Sequence, residues 1–162
     1  MHKRPTMEKH WMKLIFAALT LVSIFAFRAE AGQGKGLCQP SRGTQLAMDQ
    51  RDDERLKCLK KKKAQLSSAQ CLQITRTMEY SNNAEDARMV CLYDLTKGPS
   101  LKECAAIAKS MEYADSGDEV RWECIRRFSK VLSTKQCQSF ARAMSYPANG
   151  QRANLFCKQE LN

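Results

Sequence analysis

Eight cysteines carry the first chemistry this sequence offers. They stand at Cys38, Cys58, Cys71, Cys91, Cys104, Cys124, Cys137 and Cys157, so the intervals alternate between 20 and 13 residues. Thiols can bind a metal, exchange disulfides or lock a fold. Zinc sites draw on Cys or His about two to four residues apart, and no such pair occurs here. A Cys-x-x-Cys redox pair is equally absent. An even number of evenly spaced cysteines reads instead as a structural disulfide framework built in an oxidising compartment.

The alternation also means four repeats of 33 residues, beginning at Cys38, Cys71, Cys104 and Cys137. It leaves two pairing registers. One joins cysteines 20 apart: Cys38 to Cys58, Cys71 to Cys91, Cys104 to Cys124 and Cys137 to Cys157. The other joins those 13 apart and leaves Cys38 and Cys157 over. If each repeat is a helical hairpin, Cys104 lies about 10 residues before its turn and Cys124 about 8 after it. At about 1.5 Å per residue their heights differ by about 3 Å, which favours the first register.

A second recurring set could bind rather than staple. Counting from the first cysteine of each repeat, position +5 is a cation and +9 a tyrosine: Arg76 with Tyr80, Lys109 with Tyr113, Arg142 with Tyr146. In one continuous helix these would be neighbours a turn apart, on the side opposite the cysteine. They form the candidate binding surface, a ladder of basic and aromatic groups. Alternatively the rings fill the groove between hairpins, since stacked hairpins bury more than one helix face. The run Lys60, Lys61, Lys62 and Lys63 is a secondary candidate, although cations at a helix C-terminus also serve the macrodipole. At +8 and +17 stand Glu79 with Arg88 and Glu112 with Arg121, whereas the fourth repeat has Ser145 with Asn154. The joint change suggests an ion pair across each hairpin turn.

The elements that position these residues are legible from caps and periodicity. Ser67-Ser68-Ala69-Gln70, Ser100-Leu101-Lys102-Glu103 and Ser133-Thr134-Lys135-Gln136 are capping boxes spaced by the repeat. Apolar residues follow at +3, +4 and +7, such as Ile107, Ala108 and Met111, with Thr75 the exception in repeat two. A turn is expected at Ser81-Asn82-Asn83, Asp115-Ser116-Gly117 and Ala148-Asn149-Gly150, with Ser116-Gly117-Asp118-Glu119 capping a second helix. Val120, Cys124 and Phe128, flanked by Trp122 and Ile125, supply that helix with a buried stripe. Residues 32–43 hold four glycines and a proline without a cap, so the first helix of repeat one is expected to be degenerate or to start near Thr44. The expected fold class is all-α: four 33-residue helical-hairpin repeats stacked as a short disulfide-bridged α-solenoid.

The N-terminus reads as a secretory signal peptide over residues 1–31. Lys3, Arg4, Lys9 and Lys13 precede an uncharged run of 14 residues from Leu14 to Phe27, and Ala29-Glu30-Ala31 forms a small-x-small cleavage site. Such a run falls short of the roughly 20 residues a spanning helix needs. Lipid attachment at Cys38 is disfavoured by Leu37, which stands close before it where a small residue is required. Residues 32–162 are then one repeat domain, periplasmic or extracellular and not embedded in a membrane. Removing five of the 27 basic and two of the 17 acidic residues leaves a net charge of +7.

These features weigh the function classes unequally. Both histidines, His2 and His10, leave with the signal, and oxidised cysteines are no nucleophiles, so an enzyme is the poorest fit. No cofactor motif and no metal set is present. A carboxylate-based cell-wall hydrolase is the residual enzymatic option. Stacked hairpins suit a binding module for a protein or peptide partner. The plan is similar to tetratricopeptide, ankyrin and Sel1-like repeats in architecture alone, because neither a Trp-Leu-Gly-Tyr pattern nor a Thr-Pro-Leu-His stretch occurs. The alternative is a basic adhesion protein for anionic envelope polymers, lipid headgroups or, less favoured, nucleic acid.

Overall fold

A computed structural model describes residues 36–39 and 46–161 of the 162. The expected signal peptide, residues 1–31, and its cleavage site lie outside them. The described chain is all-α, with seven helices and no strand: α1 (Met48–Lys62), α2 (Ser68–Thr75), α3 (Ser81–Tyr93), α4 (Leu101–Ser110), α5 (Ala114–Arg127), α6 (Thr134–Arg142) and α7 (Pro147–Glu160). The pairs α2/α3, α4/α5 and α6/α7 are the hairpins of repeats two, three and four, and α1 is the second helix of repeat one.

The first helix of each hairpin starts where its cap dictates. Ser67, Ser100 and Ser133 accept from the backbone N–H of Gln70, Glu103 and Gln136, whose side chains accept from the serine N–H groups in return. Each box satisfies amides that helix geometry leaves free. Ser100→Ala is therefore expected to cost about 1 kcal/mol, read as a lowered urea midpoint at unchanged slope. An unchanged midpoint would mean that water replaces the cap at no cost.

Disulfides then tie the two halves of each repeat together in the 20-residue register. Cys38–Cys58, Cys71–Cys91, Cys104–Cys124 and Cys137–Cys157 have Cα separations of 5.4, 5.7, 5.9 and 5.6 Å. No described cysteine is free. Around the bridges lie Ile107, Val120 and Ile125, all fully buried. Thr75, the polar exception, is buried as well, its hydroxyl donating to the Leu72 carbonyl at 2.9 Å.

The core is not uniform along the row. One apolar cluster runs from Cys38 to Cys124 through repeats one to three. A second, with Ile125, Cys137, Ala141, Ala153 and Cys157 at its centre, belongs to hairpin four and the end of α5. Helix α2 packs on α4, whereas α6 meets hairpin three chiefly through α5.

Three expectations need correction. The hairpin turns fall earlier than Ser81, Asp115 and Ala148, which lie inside the first turns of α3, α5 and α7. Ser116-Gly117-Asp118-Glu119 is likewise interior to α5, whose N-cap is Tyr113 without a side-chain cap of its own. Residues 40–45, including Thr44, lie outside the described set, but Leu46 and Ala47 are not helical, Ala47 being extended with φ −62° and ψ 159°. A helix starting near Thr44 would have to run through them. The helix of repeat one begins at Met48 and is the counterpart of α3, α5 and α7.

Candidate binding surface

Why α3, α5 and α7 begin where they do is decided by the preceding hairpin. Position +14 of repeats one, two and three is Asp52, Glu85 and Asp118, with relative exposures of only 0, 5 and 3 %. Asp52 accepts from the N–H groups of Glu79 and Tyr80 at 2.8 and 2.9 Å. Asp118 accepts from Ser145 and Tyr146 at 2.7 and 3.0 Å and from the Asn149 amide at 3.0 Å. Glu85 accepts from Glu112 and from Tyr113 in the same way. Each carboxylate thus satisfies the N-terminal amides of a helix in the next hairpin, where the helix dipole also favours a negative charge. Each carries an arginine at i+3, Arg55, Arg88 or Arg121, which keeps the buried charge paired. The fourth repeat has Gln151 at this position, exposed to solvent.

The glutamate and arginine at +8 and +17 do not pair within a hairpin as expected. They pair between hairpins. Arg88 reaches Glu112 at 3.3 Å, and Arg55 reaches Glu79 at 3.9 Å while Arg51 holds the same carboxylate at 2.8 Å. The cause is the clasp: once the +8 and +9 amides are held by the preceding hairpin, the +8 side chain faces that hairpin too. The Ser81 hydroxyl, and with it the Arg88 guanidinium, holds the Glu112 carboxyl below its ordinary range. Ser145 stands where Glu112 would stand one repeat later, so Arg121 has no carboxylate from hairpin four and pairs with Asp118 at 3.5 Å.

The clasp also breaks the expected ladder. Helices α2, α4 and α6 end at Thr75, Ser110 and Arg142, so the cation and the tyrosine of each repeat do not share one helix. Arg76 is a C-cap, Lys109 and Arg142 lie in last turns, and Tyr80, Tyr113 and Tyr146 are the extended N-caps of the following helices. The rings are 49, 43 and 49 % exposed, so they do not fill a groove between hairpins either. Tyr113 donates its hydroxyl to Asn82 of the preceding hairpin at 2.6 Å. All three cations are exposed, as are Lys60, Lys61 and Lys63, with Lys62 half-buried.

Of the six ladder residues, Lys109 alone lines the cleft at the seam between hairpins three and four. An open cleft of about 680 Å³ separates α4 from α6, at the seam between the two core clusters. Its apolar lining comes from Leu101, Ala105 and Ala108 on one side and Leu132, Phe140 and Ala143 on the other. Lys102, Lys109 and Arg121 are its charged members, and none of its lining residues is acidic. Arg121 lines the cleft while paired with Asp118 of its own helix, with no glutamate at position 145 to engage it from hairpin four.

Comparison with protein-family models, curated proteins and solved structures returned no match. The four disulfides point to an oxidising compartment, extracellular or periplasmic. No described helix is long and apolar enough to cross a membrane.

Reading the sequence for basic and aromatic repetition missed the +14 carboxylates, although Asp52, Glu85 and Asp118 recur at the repeat spacing. It also missed Tyr93, whose hydroxyl donates to Glu119 across hairpins two and three at 3.1 Å. Partial burial, then the nearby Glu119 charge and its hydrogen bond, push the Tyr93 phenol up to about 12. Its folded value lies above the unfolded one of about 10, so its contribution to stability is present below about pH 10 and lost as the pH climbs towards 12. Glu119→Gln is expected to move Tyr93 ionisation to lower pH, followed by ultraviolet absorbance against pH. A titration identical to the parent's would mean that the contact does not form in solution.

Proposed function

We propose that this chain is an exported, non-enzymatic binding module, a short solenoid of helical hairpins that recognises a protein or peptide partner. The observation that carries the reading is the seam between hairpins three and four. The clasps and bridges use their polar groups inside the protein, whereas the cleft presents apolar side chains and the exposed cations Lys102 and Lys109 outward. Its volume lies within the range of about 300–1,000 Å³ usual for binding pockets. Export through the signal sequence of residues 1–31 would deliver the chain to the compartment its disulfides require.

The test is recovery of what travels with the protein from its native extracytoplasmic fraction, washed at rising salt. A protein partner held on an apolar surface is expected to persist when salt rises from about 0.1 to about 1 M, where the Debye length falls from about 10 to about 3 Å. Loss of all bound material, with only lipid, polysaccharide or nucleic acid in the wash, would replace this reading with the basic adhesion protein. The exposure of Arg76, Lys109, Arg142, Lys60, Lys61 and Lys63 favours that second reading. Changing Arg76, Lys109 and Arg142 together to Gln should alter stability by under about 0.5 kcal/mol each and weaken capture. Undiminished capture would place the working face away from these cations.

A further inference from the structure

We infer that the cleft between α4 and α6 receives an acidic amphipathic helix of a partner protein, an assignment that rests on the binding-module reading and narrows it to one site and one chemistry. Three features of the cleft choose this occupant. The first is charge: Lys102, Lys109 and Arg121 line it and no lining residue is acidic, so the group it accepts is anionic. The second is spacing. Lys102 and Lys109 lie on the same helix seven residues apart, two turns or about 10 Å along the axis. A ligand with one anionic head meets one of these cations and leaves the other against apolar surface. Carboxylates two turns apart on a docked helix meet both.

The third feature is the apolar floor. Ala105 and Ala108 lie on α4 between the two lysines, and their small side chains leave depth in front of Leu132 and Phe140. A polyanion such as a nucleic acid or an acidic polysaccharide has nothing to place there. Leucine or phenylalanine side chains at i, i+3, i+4 and i+7 of an amphipathic helix fill such a groove, and flanking acids reach its basic edges. Of the two junctions between hairpins two, three and four, one makes room for this helix. Between hairpins two and three, α2 lies against α4 and Arg88 is engaged by Glu112. Between hairpins three and four Ser145 stands in place of the matching glutamate, Arg121 keeps only Asp118 of its own helix, and α6 is held through α5. The added helix would occupy the space beside α4 that the fold leaves open.

The probe is a library of displayed helical peptides with randomised surface positions, selected against the immobilised, fully disulfide-bonded protein. Enriched sequences are expected to carry Asp or Glu two turns apart, flanking an apolar stripe of helical period. Their affinity is expected to fall at least tenfold in the Lys102→Gln/Lys109→Gln double variant. Ser139→Trp, which places a large ring on an exposed wall of the cleft, should reduce it as far. Lys57→Gln, exposed on α1 outside the cleft, should leave it unchanged. Circular dichroism of each variant checks that the helices persist. Enriched peptides without acids, or peptides indifferent to both cleft variants, would overturn the assignment while leaving the protein a binding module with another face. Saturable binding of sodium oleate that Ser139→Trp abolishes would overturn it in favour of a lipid. Binding of heparin lost in the lysine variant, with no peptide enriched, would overturn both this assignment and the reading beneath it.

Discussion

Asp118→Ala is expected to destabilise the protein by about 3 kcal/mol or more. The change leaves the part-buried amides of Ser145 and Tyr146 without their acceptor, each worth about 1 kcal/mol or more, and strips Arg121 of its partner. The loss should be local first. Hairpin four has its own small core and is joined to hairpin three largely along α5, so its amides should lose hydrogen-exchange protection before those of α2 to α4. Asp115→Ala, three residues away and exposed, serves as the comparison and should lie within about 0.5 kcal/mol of the parent. Asp118→Asn should fall between the two, because its single carbonyl oxygen can accept from at most part of the same set. Equal midpoints for Asp118→Ala and Asp115→Ala in urea would show that the carboxylate clasp does not hold the hairpins together. The parallel variants Asp52→Ala and Glu85→Ala test whether each junction is built alike, and Glu85 should be the weaker case. One of its buried carboxylate oxygens has no partner, so the junction already carries an unmet desolvation cost.

Full reduction of the four disulfides is expected to unfold the chain. Each bridge closes a loop of 20 residues and contributes about 3 kcal/mol by restricting the unfolded ensemble. Four such contributions, even if well short of additive, are comparable with the whole stability of about 5–15 kcal/mol typical of a domain. The helices themselves cannot make up the difference. Those opening hairpins two, three and four are 8, 10 and 9 residues long, below the roughly 12–15 at which an isolated helix becomes marginal in water. The measurement is far-ultraviolet circular dichroism with and without reductant, followed by reoxidation. Retained helicity in the reduced, alkylated protein would mean that clasps and core suffice. Removing one bridge at a time, Cys104 and Cys124 to Ala against Cys137 and Cys157 to Ala, should separate the contributions. The second pair should lower the first unfolding transition more, since hairpin four has fewer buried neighbours to replace the staple.

The repeat, the caps and the bridges were legible because each depends on groups near in sequence. Ser100 and Glu103 satisfy one another within a single turn, and Cys104 and Cys124 come level once two helices fold back through one turn. The position of that turn was misjudged for a reason of the same kind. Ser116-Gly117-Asp118-Glu119 has the form of a local cap, and nothing nearby in the chain reveals that Asp118 is instead spoken for by amides 27 and 28 residues on. The tyrosine at +9 was assigned to a helix by counting residues, whereas the carboxylate of the previous hairpin holds it extended as an N-cap. Arg76, Lys109 and Arg142 are exposed, yet cation and ring share no face, because the helix carrying the cation ends before the tyrosine.

By itself, then, the sequence determined the unit. Cysteine intervals, serine caps and helical apolar spacing are short-range constraints, and they specify helical hairpins with a bridge inside each. Tertiary structure decided how one unit meets the next. Buried acids at Asp52, Glu85 and Asp118 have no partner until a neighbouring hairpin brings its amides to them, so their meaning is invisible in any single repeat. The replacement of glutamate by Ser145 reads as drift along the chain. In three dimensions it removes the last ion pair between hairpins and leaves Arg121 on the wall of an open basic cleft. Charges separated by 24 residues in sequence, such as Arg88 and Glu112, pair only when packing brings neighbouring hairpins side by side.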